Sequence, residues 1–296
     1  MTTEHVVRPA TDAKLVAGTG WAESATGYRR WAAVEEQDGA VHTGFGLCEL
    51  DPGGMLPAHV HSFEESFYVV AGTGVVDTPE GALRVRTGDY GLFPVGLPHR
   101  WRNTGPDTVR WGEMQSPAPR QQHGHDTYVV ALAEAEEPAD LDVRDPRTRR
   151  YGNITAAHMD LTRQSQDLLE VSASQRTALQ VYSGITVKMM VDTDLGAQLS
   201  TMFMVQYAPD GVAGAHDHPF EETYFFLEGE AEASFDGKTY TLGPGDVAWA
   251  GVGCRHSFRN LGRGPLRWLE TQAPQPPPRH SYRFARDWDY LRKVTE

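Results

Sequence analysis

Short runs of alternating apolar and polar residues, each closed by a glycine or a Gly-Asp pair, recur along most of this chain. SFYVVAG at 66–72 and TYFFLEG at 223–229 are β-rich runs that end at glycine. LRVRTGDYGLFP at 83–94 and YTLGPGDVAWAG at 240–251 each read as two strands broken by a Gly-Asp turn. In TVRWGEMQ at 108–115, Trp111, Glu113 and Gln115 share one strand face and Arg110, Gly112 and Met114 the other. PLRWLETQ at 265–272 repeats that alternation. Many short strands with turn signals between them predict an all-β sandwich or barrel.

The same unit is written twice. A constant offset of 157 residues maps His59 on His216, His61 on His218, and Phe63-Glu64-Glu65 on Phe220-Glu221-Glu222. It continues through Gly72 and Gly229, Gly88-Asp89 and Gly245-Asp246, His99 and His256, and Asn103 and Asn260. It then carries Arg110-Trp111, Glu113, Gln115 and Pro117 onto Arg267-Trp268, Glu270, Gln272 and Pro274 with no insertion or deletion. The expected division is an N-terminal barrel over 1–125, a connector over 126–177 and a C-terminal barrel over 178–296. The connector ALAEAEEPADLDVRDPRTRR, acidic and then basic with two prolines, reads as a surface linker, and MDLTRQSQDLLEVSASQ as room for a short helix. The aromatic, charged tail RHSYRFARDWDYLRK suits packing on its own subunit or on a second copy, which leaves a homo-oligomer open.

Composition adds limits. The 296 residues suit two domains, and 30 glycines with 19 prolines suit a turn-rich β chain. A formal charge of −13 argues against nucleic acid or an anionic membrane as partner. Cys48 and Cys254 are the only cysteines, too few for a disulfide framework. The opening MTTEHVVRPATDAKLV lacks the basic stretch and apolar run of a signal peptide, and no apolar run approaches the ~20 residues that span a bilayer. A cytoplasmic protein is expected.

The candidate chemistry lies in the repeats. Residues i and i+2 of a strand face the same way, so His59 and His61 can aim into one barrel. Glu65 joins that face if the chain stays extended, and His99 closes the site from a distant strand. Copy two offers His216, His218, Glu222 and His256. Three imidazoles and a carboxylate form a mixed N/O set suited to Mn, Fe, Ni, Co or Cu, and less to six-coordinate Zn, with up to two ions per chain. Four protein ligands leave two octahedral positions open, a catalytic rather than a closed structural layout.

Copy one reads Gly53-x5-His59-x-His61-x3-Glu65-x6-Gly72, then Gly88-x5-Pro94-x-Gly96-x2-His99-x3-Asn103. These resemble the two motifs of the cupin superfamily with every signature position filled. Copy two departs at Gly251, where the family has Pro, and at Asp210, where it has Gly; Gly211 next door could serve as the turn glycine. The resemblance implies two tandem cupin barrels, that is, double-stranded β-helix or jelly-roll folds, and a small-molecule substrate.

Around the ligands, Tyr224 stands two residues after Glu222 and reads as a core aromatic or as a hydroxyl near the metal. Cys254 reads as a site-lining thiol or a small buried hydrophobe. Phe67, Trp101 and Phe258 should make the interior apolar, His123 and His280 should be structural, and Glu64 and Glu221 should turn away from the metal into surface or interface salt bridges. Among cupins the resemblance points first to two-domain dioxygenases such as quercetinases. These join an aromatic or enolic substrate to O2, with Glu65 or Glu222 taking the substrate proton and Tyr224 as a further catalytic candidate. The alternatives are an oxalate-decarboxylase-like lyase and a non-catalytic metal-dependent binder. The lyase needs an Arg just before the first His, where this chain has Met55-Leu56-Pro57-Ala58 and Val212-Ala213-Gly214-Ala215.

Overall fold

The computed structural model describes residues 5–133, 137–142, 145–160, 177–180 and 183–275. The tail after 275, most of the 159–175 stretch read as a short helix, and His280 lie outside the described residues. Residues 60–115 carry no helix: they are strands and turns, as the alternation predicts.

Each repeat curls into a barrel. In the N-terminal unit one long strand, Gly44–His61, does most of the closing. Its first half pairs with Val109–Ser116 and Thr26–Val34, and its second half with His99–Arg102 and Thr127–Val129. The strand can serve two sides of a barrel because it bends where Asp51-Pro52-Gly53-Gly54 interrupts it, with Gly53 left-handed at φ 74°. In the C-terminal unit the same place is held by Asp210, which takes φ 61° itself, so the turn does not shift onto Gly211. Gly211 answers a different need: a Cβ there would stand 2.9 Å from the carbonyl oxygen of Ala208. In this unit the barrel is split into a seven-stranded and a four-stranded sheet.

Strand pairing also crosses between the repeats. His5–Arg8 pairs with Val247–Ala250 of the C-terminal unit, while Tyr151–Asn153 of the connector pairs with Asp89–Gly91 of the N-terminal unit. The connector is therefore not confined to the surface: Tyr151, Ile154 and Met159 are buried in the core. Its regular structure consists of two short strands and 3-10 turns at Pro146–Thr148 and Ala156–Met159 among the described residues.

Three apolar clusters hold the molecule. One fills the N-terminal barrel around Phe67, Trp101 and Trp111, and one fills the C-terminal barrel around Tyr224, Phe258 and Trp268. The third joins the units, with Phe45 packed on Phe225 at 5.3 Å between ring centroids. Two carboxylates complete that joint. Glu64 accepts the backbone N–H groups of Gln198, Leu199 and Ser200, and Glu221 those of Val41, His42 and Thr43. Both turn away from the ligand face as expected, but they are buried acceptors of backbone hydrogen bonds rather than members of salt bridges.

Candidate metal centres

In the N-terminal unit, cross-strand register sets His59 opposite His99 and Glu65 opposite Gln115. His59, His61, Glu65 and His99 are all buried, and each offers a ligand atom within 4.8 Å of the others. The imidazoles are held by their far nitrogens. His59 Nδ1 donates to the carbonyl of Pro57 at 2.6 Å, and His99 Nδ1 to that of Leu97 at 3.0 Å. His61 Nδ1 donates to Thr127 Oγ1 at 2.8 Å, since the Thr127 hydroxyl gives its own proton to His125. That tautomer presents each Nε2 as a lone pair at a common point, as a metal-ligating imidazole requires. His61 Nε2 and His99 Nε2 are sealed from solvent without a hydrogen bond, although Glu65 Oε2 is only 2.9 Å from the first. Buried polar atoms that converge without bonding to one another fit a shared cation.

Aromatic rings pack round this set. Phe93 stacks on His99 at 4.0 Å, Phe63 on His61 at 4.2 Å, and Trp21 leans on His59 at 4.5 Å. Beside them lies a cavity of about 180 Å³ whose wall includes Trp21, Arg30, Glu113, Gln115 and Thr127.

The C-terminal unit repeats the ligand types but sets a tyrosine among them. His218, Glu222 and His256 gather within 4.8 Å; His216 is outside that set, although its ring lies 4.3 Å from that of His256. The Tyr224 hydroxyl donates to Glu222 Oε2 and stands 3.2 Å from His256 Nε2, at the point the ligand atoms share. Gln272 Nε2 donates to the other Glu222 oxygen at 2.5 Å. Tyr224 thus belongs to the site as well as to the core. Cys254 is buried, its thiol pushed up by desolvation and then by Asp236, with Glu222 adding to the rise, and it gathers with His5 and Asp236. His123 is exposed in the turn after Arg120.

The two glutamates behave oppositely. Burial, and then the charge of Glu113, raises Glu65 well above the carboxylate range. Burial also acts to raise Glu222, but the charge and hydrogen bond of His218 outweigh it and hold Glu222 well below. His218 is correspondingly raised: burial would lower it, and Glu222 prevails. Burial brings His59 and His216 down to about 4 and lowers His61 and His99 well below their ordinary value.

These lowered histidines take up protons in the unfolded chain before the folded one, so stability falls as pH drops from about 6.5 towards about 4. His218 and the raised carboxyls Glu65 and Glu270 oppose the trend, but the four lowered histidines of the two clusters outnumber them. The metal-free protein should therefore show a melting temperature that declines through this window in calorimetry, and a flat profile would contradict the assignment of neutral, buried imidazoles.

The cupin domain model matches residues 46–114 and 203–271. The protein SchB of Streptomyces halstedii is 36% identical over 107 residues, which are 36% of this chain and 75% of that protein. The polyketide synthase CurC of Streptomyces cyaneus is 33% identical over 99 residues, 32% of this chain and 64% of its own length. Among solved structures, a mutant oxalate decarboxylase of Bacillus subtilis aligns with a TM-score of 0.64 at 16% identity, over 96% of this chain and 80% of that one. A putative glyoxylate-induced protein of Pseudomonas aeruginosa aligns at 0.63 and 17% identity, over 92% and 89%. The Bacillus enzyme has Mn(II) centres. This chain belongs to the cupin superfamily. With one cupin domain in each repeat, it is a bicupin, and both units carry a His/Glu cluster that could hold a metal.

Several residues around the sites escaped the sequence. Trp21, Arg30 and Thr127 fall outside the stretch matched between repeats, and Phe93 faces Ala250 at the same offset. The recurrence of Glu-x-Gln at 113–115 and 270–272 was the one available signal for the polar groups beside the ligands.

Proposed function

We propose that this bicupin is a metal-dependent enzyme whose N-terminal unit carries out a dioxygenase reaction on a small enolic or aromatic substrate, while its C-terminal unit is a closed counterpart. The observation that carries this reading is the contrast between the two clusters. His59, His61, Glu65 and His99 converge beside a cavity, whereas Tyr224 occupies the equivalent point of the other unit. A divalent first-row metal held by the four N-terminal residues would supply a Lewis-acidic centre with open positions for a substrate oxygen and O2. Manganese has a precedent in the Bacillus fold relative.

The chain's own residues supply the rest. Pro57, Leu97 and Thr127 fix the imidazoles, and Phe93, Trp101 and Phe67 keep the floor of the site dry. Glu65, the one carboxylate of the set, would receive the hydroxyl or enol proton of the bound substrate. Similarity to CurC supports an enolic substrate, since polyketides are chains of enolisable carbonyl groups. The oxalate-decarboxylase-like reading has a shared fold behind it but lacks a cation before the first histidine.

Oxygen uptake by Mn-, Fe-, Ni-, Co- or Cu-loaded protein on flavonols, catechols and β-diketones tests the proposal. Uptake with one of them is expected, and none with oxalate. Formate and CO2 from oxalate without oxygen uptake would establish the lyase, and binding without turnover would leave a metal-dependent binding protein.

A further inference from the structure

One wall of the N-terminal barrel is polar where its counterpart is not. Tyr28, Arg30 and Cys48 stand on adjacent strands, and the offset places Ile185, Val187 and Val205 at the same positions. Strand register confirms the match, because Arg30 pairs with Cys48 as Val187 pairs with Val205. Gly46 leaves room for the cation: a Cβ there would stand 2.5 Å from Arg30 Nε. The equivalent residue is Phe203, buried in the C-terminal core. The C-terminal unit thus packs aliphatic and aromatic groups where the N-terminal unit keeps a guanidinium on a cavity wall.

That guanidinium is underused. Its Nη2 donates to Gln115 Oε1 at 3.1 Å. Its Nε is sealed from solvent without a hydrogen bond, and Glu113 Oε1 is 3.5 Å away. Glu113 is engaged elsewhere, accepting from Gln115 Nε2 and from Cys48 Sγ. A buried donor of this kind is costly unless something accepts from it. The cavity it faces is bounded by Trp21, whose ring lies against His59, and by Thr127, which holds His61.

We infer that Arg30 is the specificity-determining receptor for a second oxygen of a small planar monoanion, an enolate or aromatic carboxylate whose first oxygen faces the His59, His61, Glu65 and His99 cluster. This deepens the proposed function and rests on it for the first oxygen only. A planar fork suits a carboxylate or enolate oxygen better than a neutral carbonyl.

Calorimetric titration with salicylate and its neutral analogue salicylamide tests this, on the full chain with and without Mn(II). Removing Arg30 alone would strand Glu113, so the variant is Arg30→Met with Glu113→Gln. It should lose at least about tenfold in salicylate affinity and keep its salicylamide affinity and metal content. Arg30→Lys, which retains the charge but not the fork, should fall between and serves if the double variant does not fold. Wild-type affinity for salicylate in either variant would overturn the inference, as would an absence of salicylate binding to wild type, or equal loss for both probes. If Mn(II) does not bind but the dependence on Arg30 holds, the metal reading fails and this one stands. If Mn(II) binds and the dependence is absent, this one fails alone.

Discussion

His61→Ala is expected to cost the protein one equivalent of metal and about a thousandfold or more in turnover, while His218→Ala leaves turnover within a few-fold. The argument starts from what each imidazole touches. His61 Nε2 aims at the common point of an otherwise open set, so its loss removes one of four ligands from the proposed reacting centre. His218 is 2.7 Å from a glutamate already held by Tyr224 and Gln272, so its loss disturbs a cluster whose common point the Tyr224 hydroxyl already fills. Neither variant should unfold. Each barrel has its own apolar core, around Trp101 and Trp111 or around Phe258 and Trp268, so metal is not the main source of stability. Metal analysis, thermal melting and turnover on both variants decide the matter. Equal losses of activity would put chemistry in both units, and full activity in metal-depleted His61→Ala would end the metal-enzyme proposal.

Glu64→Ala should destabilise the joint between units by about 4 kcal/mol. The carboxylate is buried and accepts the N–H groups of Gln198, Leu199 and Ser200. Alanine would leave these donors stranded at a cost of about 1–3 kcal/mol each, softened where water can enter. Denaturant unfolding measures the loss. Glu64→Gln, which keeps one acceptor oxygen, should recover part of it. A change below about 1 kcal/mol for alanine would show that the contact is replaceable by solvent.

The sequence made the barrels legible because repeated glycines, strand alternation and ligand spacing are all local. His59, His61, Glu65 and His99 could be named from two short segments, since the i, i+2 rule and one returning strand suffice to bring them together. Tyr224 was visible as a neighbour in sequence, but whether its hydroxyl reached Glu222 depended on packing. What stayed hidden is what comes from far away. The pairing of His5–Arg8 with Val247–Ala250 has no signature in either segment. Trp21 and Arg30 reach the cavity from strands and turns before the repeat motifs begin, and they look there like ordinary surface or core residues. Glu64 and Glu221 illustrate another limit. Alternation correctly turned them from the ligand face, but it could not say that backbone N–H groups of the other unit would be waiting.

Glu64 and Glu221 stand at the same place in the repeat, and so do the segments they bind, 198–200 and 41–43. The joint is therefore isologous, with an approximate two-fold axis running between the halves, as in a homodimer. Enclosed in one chain, that dimer needs no second molecule to form, and its association does not weaken on dilution. Covalent fusion also removes a genetic constraint. In a true homodimer every substitution appears twice, so both centres must be kept or lost together. Here Arg30 and Val187, or Phe67 and Tyr224, occupy matching positions yet diverge independently. One half can remain a scaffold that keeps the shared face buried, leaving the other free to acquire a polar chamber that a symmetric pair would have to build in duplicate.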